Sequence, residues 1–159
     1  MKNQKHPLPA GFHTLTPHLE IRGAAAAIDF YVKAFGAREV MRNLAPDGRR
    51  VMHAQLALGD SMLLLHDEFA EGGAESPQTL EGSPVTLHLY VEDADAAFAR
   101  AVAAGCKVEL PLQDMFWGDR YGQLVDPFGH RWSIAHKLVE LAPEEIRKRA
   151  GEHFETESI

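Results

Sequence analysis

Pro17-His18-Leu19-Glu20-Ile21 and Leu87-His88-Leu89-Tyr90-Val91 put a histidine in the same slot of two alternating stretches, 70 residues apart. The same offset pairs Thr16 with Thr86, Ala27 with Ala97, Ala34 with Ala104, Gly59 with Gly129 and His66 with His136. A register held along most of two half-chains indicates duplication. A duplicated αβ unit brings equivalent strands together across a pseudo-twofold axis, so the side chains lining that junction are the first candidates for a site.

Each half reads as strand, helix and three strands. In the first, a strand near 14–21 precedes the helical pattern Ala24 to Phe35, where Ile28, Tyr31, Val32 and Phe35 recur at three- and four-residue steps. Gly36 suits the left-handed position that ends a helix. Strands near 37–43, 50–58 and 61–66 follow. Residues 67–83 are rich in Gly, Glu, Ser and Pro without period and read as a linker or mobile loop. The second half replays the order: a strand at 84–91, a helix capped by Asp93 or Asp95 and closed at Gly105, then strands near 106–111, 121–126 and 130–136. A short terminal helix, 143–151, starts at Pro143 with acid ahead of base. Residues 1–10 and 153–159 read as frayed. The expected fold is α+β: one domain over 1–159, built of two βαβββ modules (about 12–66 and 84–136) forming one curved mixed sheet with helices on its convex side.

Composition narrows the function classes. The chain has 159 residues, 45% hydrophobic and 25% charged, as a soluble globular protein does. No run approaches a membrane span, the N-terminus lacks a signal peptide's apolar stretch, and a cytoplasmic location is the expectation. A formal charge of −7 disfavours nucleic acid, whose phosphates need a basic face. The single cysteine, Cys106, excludes an internal disulfide and a cysteine-based zinc cluster and reads as a packing residue.

Side chains alternate across a strand. Leu19 and Ile21, Met52 to Leu58 by twos, Val85 to Val91 by twos, and Trp132 with Ile134 form apolar sets that belong under the helices. The opposite set is Thr16, His18, Glu20, His53, Gln55, Thr86, His88, Tyr90, Arg131 and Ser133. It is too polar for a core and too rich in His, Tyr and Gln for an ordinary solvent face, so it reads as a lined cavity. The segment from Asp114 to Gly122, with Phe116, Trp117 and Tyr121 interleaved with glycines, suits a ligand-facing loop. His18, Glu20 and His88 are the candidate catalytic groups, since a carboxylate beside an imidazole raises its pKa into a working range. His53, Gln55, Thr86, Tyr90, Trp117, Asp119, Tyr121, Arg131 and Ser133 are the candidate ligand contacts. Asp119 with Arg120 is either a loop ion pair or a clamp for an anionic substrate.

With βαβββ twice, Ile28-Asp29-Phe30-Tyr31 on the first helix and the ending Asp126-Pro127-Phe128-Gly129-His130-Arg131-Trp132, the chain resembles the vicinal oxygen chelate superfamily of glyoxalases, bleomycin-resistance proteins and extradiol dioxygenases. Phe35-Gly36-Ala37, His53-Ala54 and Trp117-Gly118-Asp119-Arg120 resemble its PhnB-like branch. The resemblance covers about residues 12–136. It implies a homodimer and a small-molecule ligand in the concave cavity. The family's metal enzymes take one ligand from the first and one from the fourth strand of each half. On this chain the resemblance places those positions at Thr16, Leu63, Thr86 and Ser133, none of them an imidazole or carboxylate. No cofactor is expected on that basis. A divalent metal would need shifted ligands: His18 and His88 with His53 or Glu20. Three readings stay open: a metal-independent small-molecule binder or enzyme, a metal-dependent lyase or dioxygenase, and a non-catalytic stress or partner-binding protein.

Overall fold

The computed structural model describes residues 7–156. Its strands and helices follow the expected order: β1 His18–Ile21, α1 Ala24–Phe35, β2 Arg38–Leu44, β3 Val51–Leu58, β4 Ser61–Asp67, β5 Thr86–Tyr90, α2 Ala94–Ala104, β6 Lys107–Asp114, β7 Asp119–Val125, β8 Arg131–Lys137 and α3 Pro143–Thr156. The chain divides into two compact units, Met1–Gly82 and Ser83–Ile159. The strands pair as two four-stranded mixed sheets, β1-β4-β3-β2 and β5-β8-β7-β6, where the sequence reading expects one continuous sheet.

In the first unit β1 and β4 are parallel, a pairing that requires a crossover, and α1 supplies it. The buried stripe of α1 is Ala24, Ala27, Ile28, Tyr31, Ala34 and Phe35; Val32 lies off it, 44% exposed. Gly36, at φ 69°, closes the helix with its N–H on the carbonyls of Tyr31 and Val32. The N-terminus of α1 has no side-chain cap of its own. Buried Asp67, at the end of β4, does that work: Oδ1 accepts from the N–H groups of Gly23 and Ala24, and Oδ2 from that of Val51. One carboxylate thus joins α1, β3 and β4.

The second unit repeats the plan. The side chain of Asp93 caps α2 by accepting from the Ala96 N–H, and His136 Nδ1 accepts from the Ala94 N–H. Trp132, Ile134 and Leu124 are buried on the helix side. A Cβ on Gly122 would lie 2.6 Å from the Phe98 ring, so only glycine lets α2 sit this close to β7.

Three expectations need correction. Met52 is not in the core but 52% exposed, while Val51 is fully buried. The pairing steps from Asn43–His53 to Leu44–Val51, a bulge that takes Met52 out of the alternation. Residues 67–83 are structured: a 3-10 turn at Ala70–Gly72, a bridge between Phe69 and Ala74, and a Glu68 carboxylate that accepts from Arg22, Thr79 Oγ1 and the Ser76 N–H. The terminal helix continues beyond residue 151 to Thr156, whereas residues 1–6, with His6, and 157–159 lie outside the described residues.

Candidate functional site

The polar faces are built strand by strand, and the pairing shows which side chains share a row. In the first unit His18 is level with Leu64, and Leu64 with Gln55. In the second, His88 is level with Ser133, and Ser133 with Gln123. The internal match is therefore 70 between β1 and β5, 69 between β4 and β8, and 68 between β3 and β7. The stretch from β1 to β3 is two residues longer than that from β5 to β7, and the β7–β8 hairpin is one residue longer than the β3–β4 hairpin. Gly59–Asp60 alone joins β3 to β4, while Asp126–His130 joins β7 to β8. A one-residue slip exchanges the faces of a strand.

The constant-offset placement of the metal positions fails at Leu63, which is 4% exposed and level with Leu56 on the helix side; the structural counterpart of Ser133 is Leu64. His66 and His136, matched in sequence, have opposite duties. His136 caps α2, as Asp67 caps α1, whereas His66 lies on the polar face level with Glu20. In the sequence His66 and His136 both fall at strand ends and are given no part in the site.

Three imidazoles meet in the first unit. The His18 ring stands 4.8 Å from His66 and 5.8 Å from His53, edge to face in both cases. His66 Nδ1 is 2.7 Å from the Asp67 carbonyl, so it carries the proton and Nε2 is the free acceptor. His53 Nε2 is 3.3 Å from the Gln55 amide nitrogen. Burial, then repulsion from His66 and His53, holds the His18 imidazole below the ordinary histidine value, and the opposing pull of Glu20 is smaller. The expected pKa-raising His–Glu pair is therefore not made, and His18 is neutral near pH 7.

The second unit holds a connected network. His88 Nδ1 is 2.7 Å from Ser133 Oγ. The His88 ring stacks on Tyr121 at 5.9 Å and meets Tyr90 edge-on at 4.5 Å. Gln123 donates to the Tyr121 hydroxyl at 2.7 Å. Buried Asp119 gathers Tyr90 Oη at 2.9 Å, Trp117 Nε1 at 3.1 Å and Lys137 Nζ at 2.6 Å. Despite burial, those partners keep its carboxyl below the usual range. The bond to Asp119 raises the Tyr90 phenol, which stays protonated. Burial lowers His88 against the weaker pull of Asp119. A neutral His88 whose Nδ1 is engaged by Ser133 offers only Nε2 to a ligand, as donor or acceptor according to which partner holds the shared proton.

Asp119 and Arg120 do not pair, because neighbours on a strand point to opposite faces. Arg120 instead grips Asp95 with two bonds of 2.7 Å and reaches Asp114 at 2.8 Å, which raises its pKa further. Arg131 is level with Thr86 and pairs with Glu109 at 2.8 Å. Gln123 and Lys137 are site members missed in the sequence; their signal, position in alternation with Tyr121 and Ser133, was available but not used.

The metal test gives a clear chemical result. The corrected family positions present two threonines, a leucine and a serine already bonded to His88, a set that does not fit a divalent ion. Among the described residues, the group of His, Cys, Asp and Glu whose ligand atoms all lie within 4.8 Å of one another is Asp93, Asp95 and His136. It is the N-terminal cap of α2, with Asp95 held by Arg120. Cys106 is buried, its thiol pushed up to about 12 by burial and Asp126, which suits packing.

Residues 16–134 match the model of the Glyoxalase/Bleomycin resistance protein/Dioxygenase superfamily. An uncharacterized protein of Mycobacterium bovis is 46% identical over 136 residues, covering 84% of this chain and 89% of that one. The solved structure of an Arabidopsis thaliana gene product is 32% identical at TM-score 0.62, covering 78% of this chain and 98% of that one. TnmS3, an antibiotic binding protein from Streptomyces sp. CB03234, is 26% identical at TM-score 0.58, covering 79% and 95%. The chain belongs to the glyoxalase, bleomycin resistance and dioxygenase superfamily. No helix among the described residues is long and apolar enough to cross a membrane.

Proposed function

We propose that the protein is a cytoplasmic, homodimeric binder of a small polar aromatic molecule, and that it works without the family's divalent metal. The observation that carries this reading is the corner of rings in the second unit. Tyr121 and Tyr90 pack on His88 at differing tilts and Trp117 meets Tyr121 edge-on, while the polar ends of Tyr90 and Trp117 are tied back to Asp119. Rings fixed by their own hydrogen bonds lose little freedom when a planar ligand stacks on them. His88 Nε2 and Thr86 then supply orientation. TnmS3, named as an antibiotic binding protein, supports a small-molecule ligand.

A thermal-shift screen with quercetin and 7-hydroxycoumarin among a panel of hydroxylated aromatics tests it. A stabilising hit that is lost in Trp117→Ala and weakened in His88→Ala is expected. A panel without any hit, or hits indifferent to both changes, would refute the reading and favour the non-catalytic partner-binding alternative. The second reading is a metal-dependent enzyme in which His18, with His53 or Glu20, supplies the ligands; the His18 and His53 rings adjoin at 5.8 Å. Elemental analysis of untagged protein decides between them: stoichiometric metal that disappears in His18→Ala would establish the second.

A further inference from the structure

The first unit contains a cavity of about 340 Å³, lined by Phe12, Arg38, Val40, Gln55, Ala57 and Met62. It is independent of the ring corner, every residue of which lies in the second unit. Its volume is in the range of small-molecule sites. Arg38, like Arg49, has no carboxylate partner among the described residues, and of the two it is Arg38 that lines the cavity. Arg22, Arg42, Arg50, Arg120 and Arg131 are each engaged by a carboxylate. Arg38 has no hydrogen bond, ion pair or ring contact among the described residues. Level with Ala57, it shares the face that carries Gln55 and Met62. One acid, Asp60, also lines the cavity; its side chain is 91% exposed and its carboxylate meets His13 at 3.9 Å and Ser61 Oγ at 3.0 Å.

We infer that this cavity is a binding site for a small carboxylate with an apolar body, the carboxylate held by the Arg38 guanidinium and the body lying between Phe12, Val40 and Met62. A planar guanidinium matches a carboxylate with two parallel N–H bonds, and the pairing is stronger than a neutral one. Gln55 borders the site and also touches His53, so an occupant is felt by the imidazole cluster.

Calorimetric titration of the full chain with 1-naphthoate, against neutral 1-naphthamide, is the test, with methyl-labelled methionine spectra to locate the probe. Saturable naphthoate binding is expected, with the amide about tenfold weaker or worse. Arg38→Gln should lose about tenfold, Arg49→Gln in the turn at the far end of the β2–β3 hairpin should lose nothing, and the Met62 methyl should shift. Equal affinity for acid and amide, indifference to Arg38→Gln, an equal loss in Arg49→Gln, an unmoved Met62 methyl or no saturable binding would each overturn the assignment. Arg38 is exposed and unpaired, so its variant is expected to keep the wild-type Tm, which distinguishes lost recognition from lost folding.

Discussion

Burial first, and then the placing of a cation between the His66 and His53 rings, displace the titration of His18 downward. His88 is displaced the same way by burial. The unfolded chain takes up these protons near the ordinary value of 6.5, the folded chain only at lower pH. Their contribution to stability is therefore complete above that value and is lost as pH falls below it. Proton NMR titration should give midpoints under 6.5 for both rings, and His66→Gln should move His18 upward by removing one repulsive neighbour. An unmoved His18 in that variant would mean that burial alone sets its charge. Asp67 is the other residue on which much depends. Asp67→Ala leaves three backbone N–H groups without an acceptor and should cost about 3 kcal/mol. For a chain of this size that lowers Tm by about 6–12 °C in calorimetry. His136→Ala, which releases one N–H, should cost about 1 kcal/mol.

At the scale of elements, the segment after β4 behaves as part of the first unit because Glu68 holds it. The bonds from Thr79, Ser76 and Arg22 bring that carboxyl down to about 2. The stabilisation is present above the ordinary glutamate value of 4.5 and fades as pH falls toward 2. Glu68→Gln should raise the rate of limited proteolysis between residues 70 and 82 several-fold at neutral pH. An unchanged rate would show that the 3-10 turn is self-sufficient. The succession of helices, strands and turns along the chain was legible in the sequence because each is a local pattern: the Ala24–Phe35 stripe, Gly36 and Gly105 as stops, Asp93 or Asp95 as cap, of which the structure selects Asp93. The polar faces were legible too, since alternation needs no partner. The slip between halves was not, because it depends on the lengths of the connections between strands, and the bulge at Met52 was not, because it needs the register with β2. Ionic partners such as Lys137 for Asp119 depend on which strands lie side by side, information that exists only in the sheet.

For the molecule as a whole, α3 matters to the site although the family match ends before it, at residue 134. Phe116 is 5.3 Å from His153 and 6.1 Å from Phe154, and it meets the Trp117 ring at 5.0 Å. Ending the chain after Leu141 should leave both sheets intact by circular dichroism while shifting Trp117 fluorescence to longer wavelength; Trp132, buried and bonded to Asp126, serves as the silent internal reference. Edge strand β2 exposes Val40 and Leu44, as a pairing surface would. Sedimentation should report twice 17.6 kDa, and a single 17.6 kDa species would dismiss the homodimer.

The one-residue difference between the two hairpins, nine residues from Gln55 to Leu64 and ten from Gln123 to Ser133, sets a rule for anyone who would rebuild this chain as two identical halves. Averaging the halves at a fixed spacing would graft the core side of one fourth strand onto the ligand side of the other, burying histidine and exposing leucine. A symmetric ancestor or redesign has to be aligned ladder by ladder, with the turn shortened or lengthened first. Trimming one residue from the longer turn without re-registering β8 should yield an insoluble product, since Trp132 and Ser133 would exchange sides.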